Sequence, residues 1–337
     1  MDSVAAISSC PPTVPDIDRA VALLQAGELV AIPTETVYGL GADAANGAAV
    51  AKIFAAKGRP ADHPLIVHLA GHDWLERWAV DIPDAAWELA EAFWPGPLTL
   101  ILKRAPGVPD AVTGGQDTVG LRVPGHPVAL DLLRAFARAG GSGGVAAPSA
   151  NRFGRISPTT ASHVAEELGE RVPLILDGGA CPVGIESTII DLSSGSPRLL
   201  RPGHITPEQI ETVIGVLPEK PVGVVPRASG TLEAHYAPRT RLKVVAKDRL
   251  LDFLNVIRHR GGFCGVIGHT QPPHAGMPHV WKMLPAEPGG YAHDFYATLR
   301  ELDGLGADTI VVESLPDTPA WAAVADRLRR AAVGSGE

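Results

Sequence analysis

PTETVYGLGADAANGAAVAKIFAAKGRPADHPLIVH, residues 33–68, is the stretch whose reading decides the fold. Leu29 to Ile32 is a short buried strand that delivers Pro33 to Gly39 at its carboxyl end, the usual place for ligand contacts in an α/β sheet. Thr34 and Thr36 put hydroxyls there. Gly39 and Gly41 read as turn glycines that let backbone approach a bound group without a Cβ in the way. Asn46 to Ala56 returns as a helix that Gly58 stops, and Leu65 to Leu69 is a second strand carrying His68 among apolar residues. Between them Lys57 and Arg59 stand on a corner stiffened by Pro60 and Pro64. The helix dipole alone favours cations in a last turn. A rigid corner also suits an arginine that forks onto phosphate or carboxylate oxygens.

Working outward, the same alternation continues on both sides. Helices are expected at Asp16 to Ala26, Ala85 to Phe93, Pro127 to Ala139, Thr159 to Leu168 and Thr206 to Ile214. Strands are expected at Leu98 to Leu102, Thr118 to Val123, Val145 to Ala147, Leu174 to Leu176, Ser187 to Leu192 and Arg198 to Leu200. Short buried strands interleaved with helices make a mixed α/β domain. Residues 217–240 hold four prolines between Pro218 and Pro238 and no sustained period, and read as a linker. Beyond it the alternation resumes. The organisation expected is a tail at 1–15, a catalytic domain at 16–216, the linker at 217–240 and a smaller α/β domain at 241–337, in keeping with a length of 337 residues.

Composition narrows the class. A hydrophobic share of 45% with 20% charged residues is globular, and a net charge of −8 argues against broad nonspecific nucleic-acid binding. Three cysteines, Cys10, Cys181 and Cys264, form neither a disulfide framework nor a zinc pattern. The first residues lack a signal-peptide pattern, and no run approaches the ~20 apolar residues of a membrane helix, so a cytoplasmic protein without membrane contact is expected.

Several further residues carry chemistry. Arg122, in the apolar run TVGLRVP, is costly to bury unless it meets an anion, either an internal carboxylate or a ligand. APSAN places Ser149 and Asn151 in a polar loop at a strand end, with Ser157 six residues on. GIESTIIDL puts Ser187 and Thr188 at a strand start, and LLRPG puts Arg201 at a strand exit. GxSxG, GxGxxG and the Walker pattern GxxxxGK[ST] are absent. His269, His274 and His279 lie in a Pro/Gly-rich stretch without a metal-ligand spacing and read as a surface loop. What is left is oxyanion-binding hydroxyls with scattered arginines, which suits chemistry by positioning and electrostatics such as nucleotidyl transfer.

PTETVYGLG, KGRP followed by PLIVH, WPGPLT, TVGLRVP, APSAN, ESTI and LLRPG, in this order over Ile32 to Gly203, resemble the L-threonylcarbamoyladenylate synthase family. HYAP at His235 to Pro238 and the α/β region after it resemble its two-domain branch. The resemblance implies a YrdC-like twisted mixed sheet flanked by helices, joined by a linker to a smaller Rossmann-like α/β domain. It implies that L-threonine, bicarbonate and ATP, with Mg²⁺, give threonylcarbamoyl-AMP and pyrophosphate. The product would pass to the tRNA threonylcarbamoyl transferase machinery for modification of position 37.

By motif position, Thr36, His68, Arg122, Ala147 and Ser187 would surround threonine, whose carboxylate would be the anion that Arg122 needs. Lys57 and Arg59 would be the catalytic cations. His63, Thr118, Ser149, Asn151, Ser157 and Arg201 would join Arg59 around ATP, and Tyr236 would close over the nucleotide. No metal ligand is assigned. His63 stands where many relatives carry asparagine. Carbamoyl transfer and weak binding of double-stranded RNA are the alternative readings.

Overall fold

The structure is a computed structural model in which residues 5–270 and 279–336 are described. The chain divides into two units, Met1–Phe153 with Ser157–Thr231, and Gly154–Ile156 with Leu232–Glu337.

In the first unit the strands are β1 (Ala6–Ile7), β2 (Val30–Ile32), β3 (Gly39–Asp43), β4 (Ile66–Leu69), β5 (Leu98–Lys103), β6 (Thr118–Arg122), β7 (Gly144–Ala146), β8 (Leu174–Ile175), β9 (Thr188–Asp191) and β10 (Arg198–Arg201). They form one mixed sheet in the order β1-β8-β2-β3-β7-β4-β6-β5-β9-β10. β4 and β6 are parallel neighbours, with His68 opposite Arg122 in register. The residues read as a tail contribute a strand, since Ala6–Ile7 pairs with Leu174–Ile175.

Helices cover both faces because neighbouring strand residues point to opposite sides. Val30 and Ile32 pack with Leu132, Leu133 and Phe136 of the helix Pro127–Arg138 and with Leu24 of the helix Val14–Gln25. Ala31 packs in a second cluster with Leu40, Val67, and Val50 and Ile53 of the helix Gly47–Lys57. Burying each large apolar side chain here is worth about 1.5–3 kcal/mol.

Capping explains where the helices begin and end. Asn46 Oδ1 accepts from the backbone N–H groups of Ala48 and Ala49, both at 3.1 Å, and Gly58 closes that helix in the left-handed region with φ 64°. Asp16 was expected to start the first helix. It stands one turn inside, and its carboxylate accepts from Thr13 N at 2.8 Å and Thr13 Oγ1 at 2.7 Å.

The run Gly39-Leu40-Gly41 corrects the opening reading. It is no turn: β3 runs straight through it, antiparallel to both β2 and β7. A Cβ on Gly41 would lie 2.9 Å from Val145 Cγ1 and 3.1 Å from the Val30 carbonyl, and one on Gly39 would lie 3.1 Å from Ala147 Cβ. These glycines let three strands approach closely.

The stretch 217–240 is likewise divided. Glu219 N–H donates to Pro197 O at 2.8 Å, and Glu219 O accepts from Leu199 N–H at 2.9 Å. Val225 and Ala228 pack with Ile66, Ile101, Ile189 and Leu200. The first unit therefore runs on to Thr231.

The second unit is a sheet of parallel strands, β11 (Leu242–Val245), β12 (Cys264–Gly268), β13 (Val280–Met283) and β14 (Thr309–Glu313), in the order β11-β14-β12-β13. The helices Lys247–His259, Pro288–Asp303 and Ala322–Gly334 pack with it. β13 is an element that the alternation did not reveal. Two of the histidines read as a surface loop have structural work instead. His279 Nδ1 accepts from Cys264 N–H at 3.2 Å, and the His269 ring lies 6.1 Å from that of Trp321. His274 lies outside the described residues. Among the described residues no helix is long and apolar enough to cross a membrane.

Candidate active site

Arg122 sits at the carboxyl end of β6, 3% exposed, with its guanidinium held on three sides. Nε donates to Gly96 O at 3.2 Å, Nη1 to Thr36 Oγ1 at 3.0 Å and Nη2 to Glu35 Oε1 at 2.6 Å. Of the two anions the residue pattern left open, an internal carboxylate or a ligand, the fold supplies the first in Glu35. Five N–H donors minus three leave two for a ligand. Glu35 was overlooked because it lies between two threonines in a segment read for its hydroxyls.

The loop that presents Thr36 is braced by its neighbour. Thr34 Oγ1 donates to Val37 O at 2.6 Å and accepts from the N–H groups of Thr36 and Val37, each at 3.2 Å. Of the two hydroxyls, Thr34 builds the turn and Thr36 faces the cation.

His68, opposite Arg122 on β4, is 4% exposed. Burial first, and the neighbouring Arg122 charge second, pull its pKa down to about 3. It is a neutral imidazole at ordinary pH. Ala147 follows β7, its N–H donating to Ile66 O at 3.0 Å.

Ser187, just before β9, is fully buried and exchanges a hydrogen bond with Thr99 Oγ1 at 2.8 Å. Arg201, at the end of β10, donates from Nε to Ser187 O at 3.0 Å, from Nη2 to Ser187 Oγ at 3.1 Å and from Nη1 to Ser229 O at 2.7 Å. Arg59 reaches the same serine, its Nη2 lying 3.5 Å from Ser229 Oγ while donating to Pro64 O at 2.9 Å. Two arginines 142 positions apart in the chain thus meet on one residue of the proline-rich stretch. Ser229 gave no signal in the sequence beyond its place between Ala228 and Gly230.

Lys57 is buried, and its Nζ donates to the carbonyls of Ser149, at 2.6 Å, and Asn151. Its pKa is lowered by burial and then by the Arg59 charge. Phe153 backs this corner, with the Arg59 guanidinium 5.8 Å from its ring centre and the His63 ring edge-on at 5.3 Å. The pKa of His63 is lowered too, by burial and then Arg59. Asn151 donates from Nδ2 to Arg152 O at 2.7 Å, and Ser157 Oγ donates to Glu186 Oε1 at 2.6 Å.

Of two further residues expected at the nucleotide, Thr118 belongs to the first unit and Tyr236 to the second. Thr118 shares a face of β6 with Arg122, but about 13 Å away along the strand. It lines a cavity of about 570 Å³ with Lys103, Arg104 and Ser193. Tyr236 belongs to the second unit, where its φ is 61° and its ring lies 5.8 Å from Tyr296 and 5.6 Å from the Arg327 guanidinium.

A buried set of hydroxyls, a neutral imidazole and four cations can hold an amino acid and a polyphosphate. Comparison with known proteins gives the family. Residues 22–203 match the Sua5, YciO and YrdC family model, described as "Telomere recombination". Residues 205–333 match the model "Threonylcarbamoyl-AMP synthase, C-terminal domain". The chain belongs to the threonylcarbamoyl-AMP synthase family. It is 40% identical to the synthase of Pyrococcus abyssi over 93% of this chain and 92% of that one. It is 42% identical to the synthase of Bacillus subtilis over 95% and 94%. The structure of P. abyssi Sua5 complexed with L-threonine superposes with a TM-score of 0.89 at 38% identity, covering 98% of each chain. These matches take in both units, as expected of a two-domain synthase.

Proposed function

We propose that this synthase joins L-threonine, bicarbonate and ATP into threonylcarbamoyl-AMP and pyrophosphate, with Thr36, His68, Arg122, Ala147 and Ser187 around the amino acid and Lys57, Arg59 and Arg201 around the phosphates. The observation that carries the reading is the gathering of Arg59 and Arg201 on Ser229, beside a Ser187 that Arg201 also holds. Cations fixed by backbone carbonyls are preorganised for charge that develops during phosphoryl transfer.

The reaction runs in two steps. The threonine amine, without its extra proton, forms a C–N bond to the carbon of bicarbonate, whose C–O bond to hydroxide breaks so that hydroxide leaves with an amine proton as water, or to carbon dioxide, whose C=O π pair moves onto oxygen as an amine proton is lost. Either way it becomes a carbamate. A carbamate oxygen then attacks the α-phosphorus, the new O–P bond forms, and the bond to pyrophosphate breaks. Arg59, Arg201 and Lys57 offset the charge that moves onto the leaving group. ATP enters as its Mg²⁺ complex. The threonine bound in the P. abyssi structure supports the amino-acid half of the reading. The product is a reactive mixed anhydride, and transfer to tRNA position 37 is the fate the family implies.

Incubation of the purified protein with L-threonine, radiolabelled bicarbonate, ATP and Mg²⁺ tests this. A labelled adenylate that depends on threonine is expected. Label that instead requires carbamoyl phosphate would favour carbamoyl transfer and overturn the reading.

A further inference from the structure

An α-amino acid is a zwitterion whose two charges sit on one carbon, the ammonium nitrogen within about 3 Å of the nearer carboxylate oxygen by bond geometry. The first unit buries a pair of the complementary kind. Arg122 Nη2 and Glu35 Oε1 are 2.6 Å apart, and both side chains are largely withdrawn from solvent.

The cation has donors to spare, two of five. The anion has an acceptor to spare: Glu35 Oε2 is buried and has no hydrogen-bond partner among the described residues. A carboxylate accepts up to about four hydrogen bonds, and leaving a buried charged oxygen unmatched is unfavourable. A residue whose only task was to neutralise Arg122 would be better placed with both oxygens on the guanidinium, in the bidentate geometry that arginine favours. Here one oxygen holds Arg122 and the other is left over.

The backbone keeps that carboxylate in place. Glu35 O accepts from Val183 N–H at 2.8 Å, and the following residue is the Thr36 whose hydroxyl Arg122 also holds. Gly125 makes the room, since a Cβ there would lie 3.3 Å from Glu35 Cδ.

We propose that Glu35 is a specificity residue for the amino acid, its Oε2 accepting a hydrogen bond from the α-ammonium while Arg122 takes the α-carboxylate. The inference rests on the assignment of Arg122 to the carboxylate of threonine. It explains how an enzyme surrounded by cations at Lys57, Arg59, Arg122 and Arg201 admits a ligand that itself bears a positive charge. It also makes the site select for an amine next to a carboxylate, where Arg122 alone would accept any small carboxylic acid. Binding sites that hydrogen-bond a polar group discriminate strongly against ligands that lack it.

Calorimetric titration of the full chain without ATP tests this, comparing L-threonine with 3-hydroxybutanoate, which is threonine without its amine. Competition against threonine reads the weaker ligand. The wild-type protein should favour threonine by at least ~30-fold, Glu35→Gln should bring the ratio to within about threefold of one, and Glu35→Asp should fall between. A Glu35→Gln protein that binds both ligands more weakly but keeps the wild-type ratio would overturn the proposal, leaving Glu35 as a support for Arg122. If Glu35→Gln shows no cooperative thermal transition, Glu35→Asp decides: a reduced ratio sustains the proposal and an unchanged ratio overturns it. An Arg122→Met protein that binds 3-hydroxybutanoate as tightly as the wild type would overturn the Arg122 assignment instead, and with it this inference.

Discussion

Glu35 and Arg122 are 87 positions apart in the chain and 2.6 Å apart in the fold, one oxygen of the carboxylate against one nitrogen of the guanidinium. Breaking a buried pair by removing one partner strands the other charge, at a cost of about 3–5 kcal/mol. Arg122→Ala should therefore abolish adenylate formation and also lower stability by roughly that amount. Chemical denaturation of Arg122→Ala beside the double variant Arg122→Met with Glu35→Leu separates the two effects. The double variant should recover most of the stability and none of the activity.

Arg201 makes three hydrogen bonds that only a planar fork can make together, two to Ser187 and one to Ser229. Lysine keeps the charge and loses the geometry. Arg201→Lys should lower the rate of adenylate formation at least tenfold, about 1.4 kcal/mol in the barrier. A rate within twofold of wild type would show that charge alone suffices there.

Lys57 stands where a neutral, isosteric chain would fill the same space. Lys57→Met would leave the carbonyls of Ser149 and Asn151 without their donor, costing about 1–3 kcal/mol. If the amine also meets the phosphates, turnover at saturating ATP should fall about a hundredfold or more, well beyond what the lost stability explains.

His68 titrates far below an ordinary histidine, at about 3 against 6.5. The unfolded chain thus takes up this proton where the folded one does not. Its contribution to stability is complete above about pH 6.5 and is lost as pH falls toward 3. In that window the slope of stability against pH should carry on the order of 1 kcal/mol per pH unit from His68 alone. His68→Asn should flatten the melting temperature between pH 6.5 and 4. An unchanged slope would show that the imidazole is not held neutral.

Gly41 has no space for a side chain. Gly41→Ala sets a methyl group 2.9 Å from Val145 Cγ1 inside a three-strand contact and should cost about 1–3 kcal/mol. Gly47→Ala, where nothing lies within 4 Å, should be stable or slightly stabilising. Comparing the two melting temperatures checks that β3 is a strand with close neighbours and no open turn.

Much of this was legible in the sequence because it is local. Asn46 and Gly58 bound their helix by short-range chemistry, and strands such as Leu98–Lys103 announce themselves by composition. Two kinds of feature were hidden. Gly39-Leu40-Gly41 looks like a turn in one dimension, since glycine's other use, close strand approach, depends on what stands opposite, here Val145 and Ala147. Glu35 in turn needed its partner: an acidic residue in a loop is unremarkable until Arg122 is found against it. Arg122 did signal that an anion was required, and which anion was a matter of tertiary structure.

The packing of residues 225–231 onto the first unit bears on how this protein could be cut. Ala228 fills an apolar cluster with Ile101, Ile189 and Leu200, and Ser229 occupies Arg201. A recombinant fragment stopped at Val216 would expose that cluster and leave Arg59 and Arg201 to find other partners, inviting self-association. One stopped after Thr231 would keep both covered. The boundary that composition suggests and the boundary that a soluble fragment needs differ by some fifteen residues.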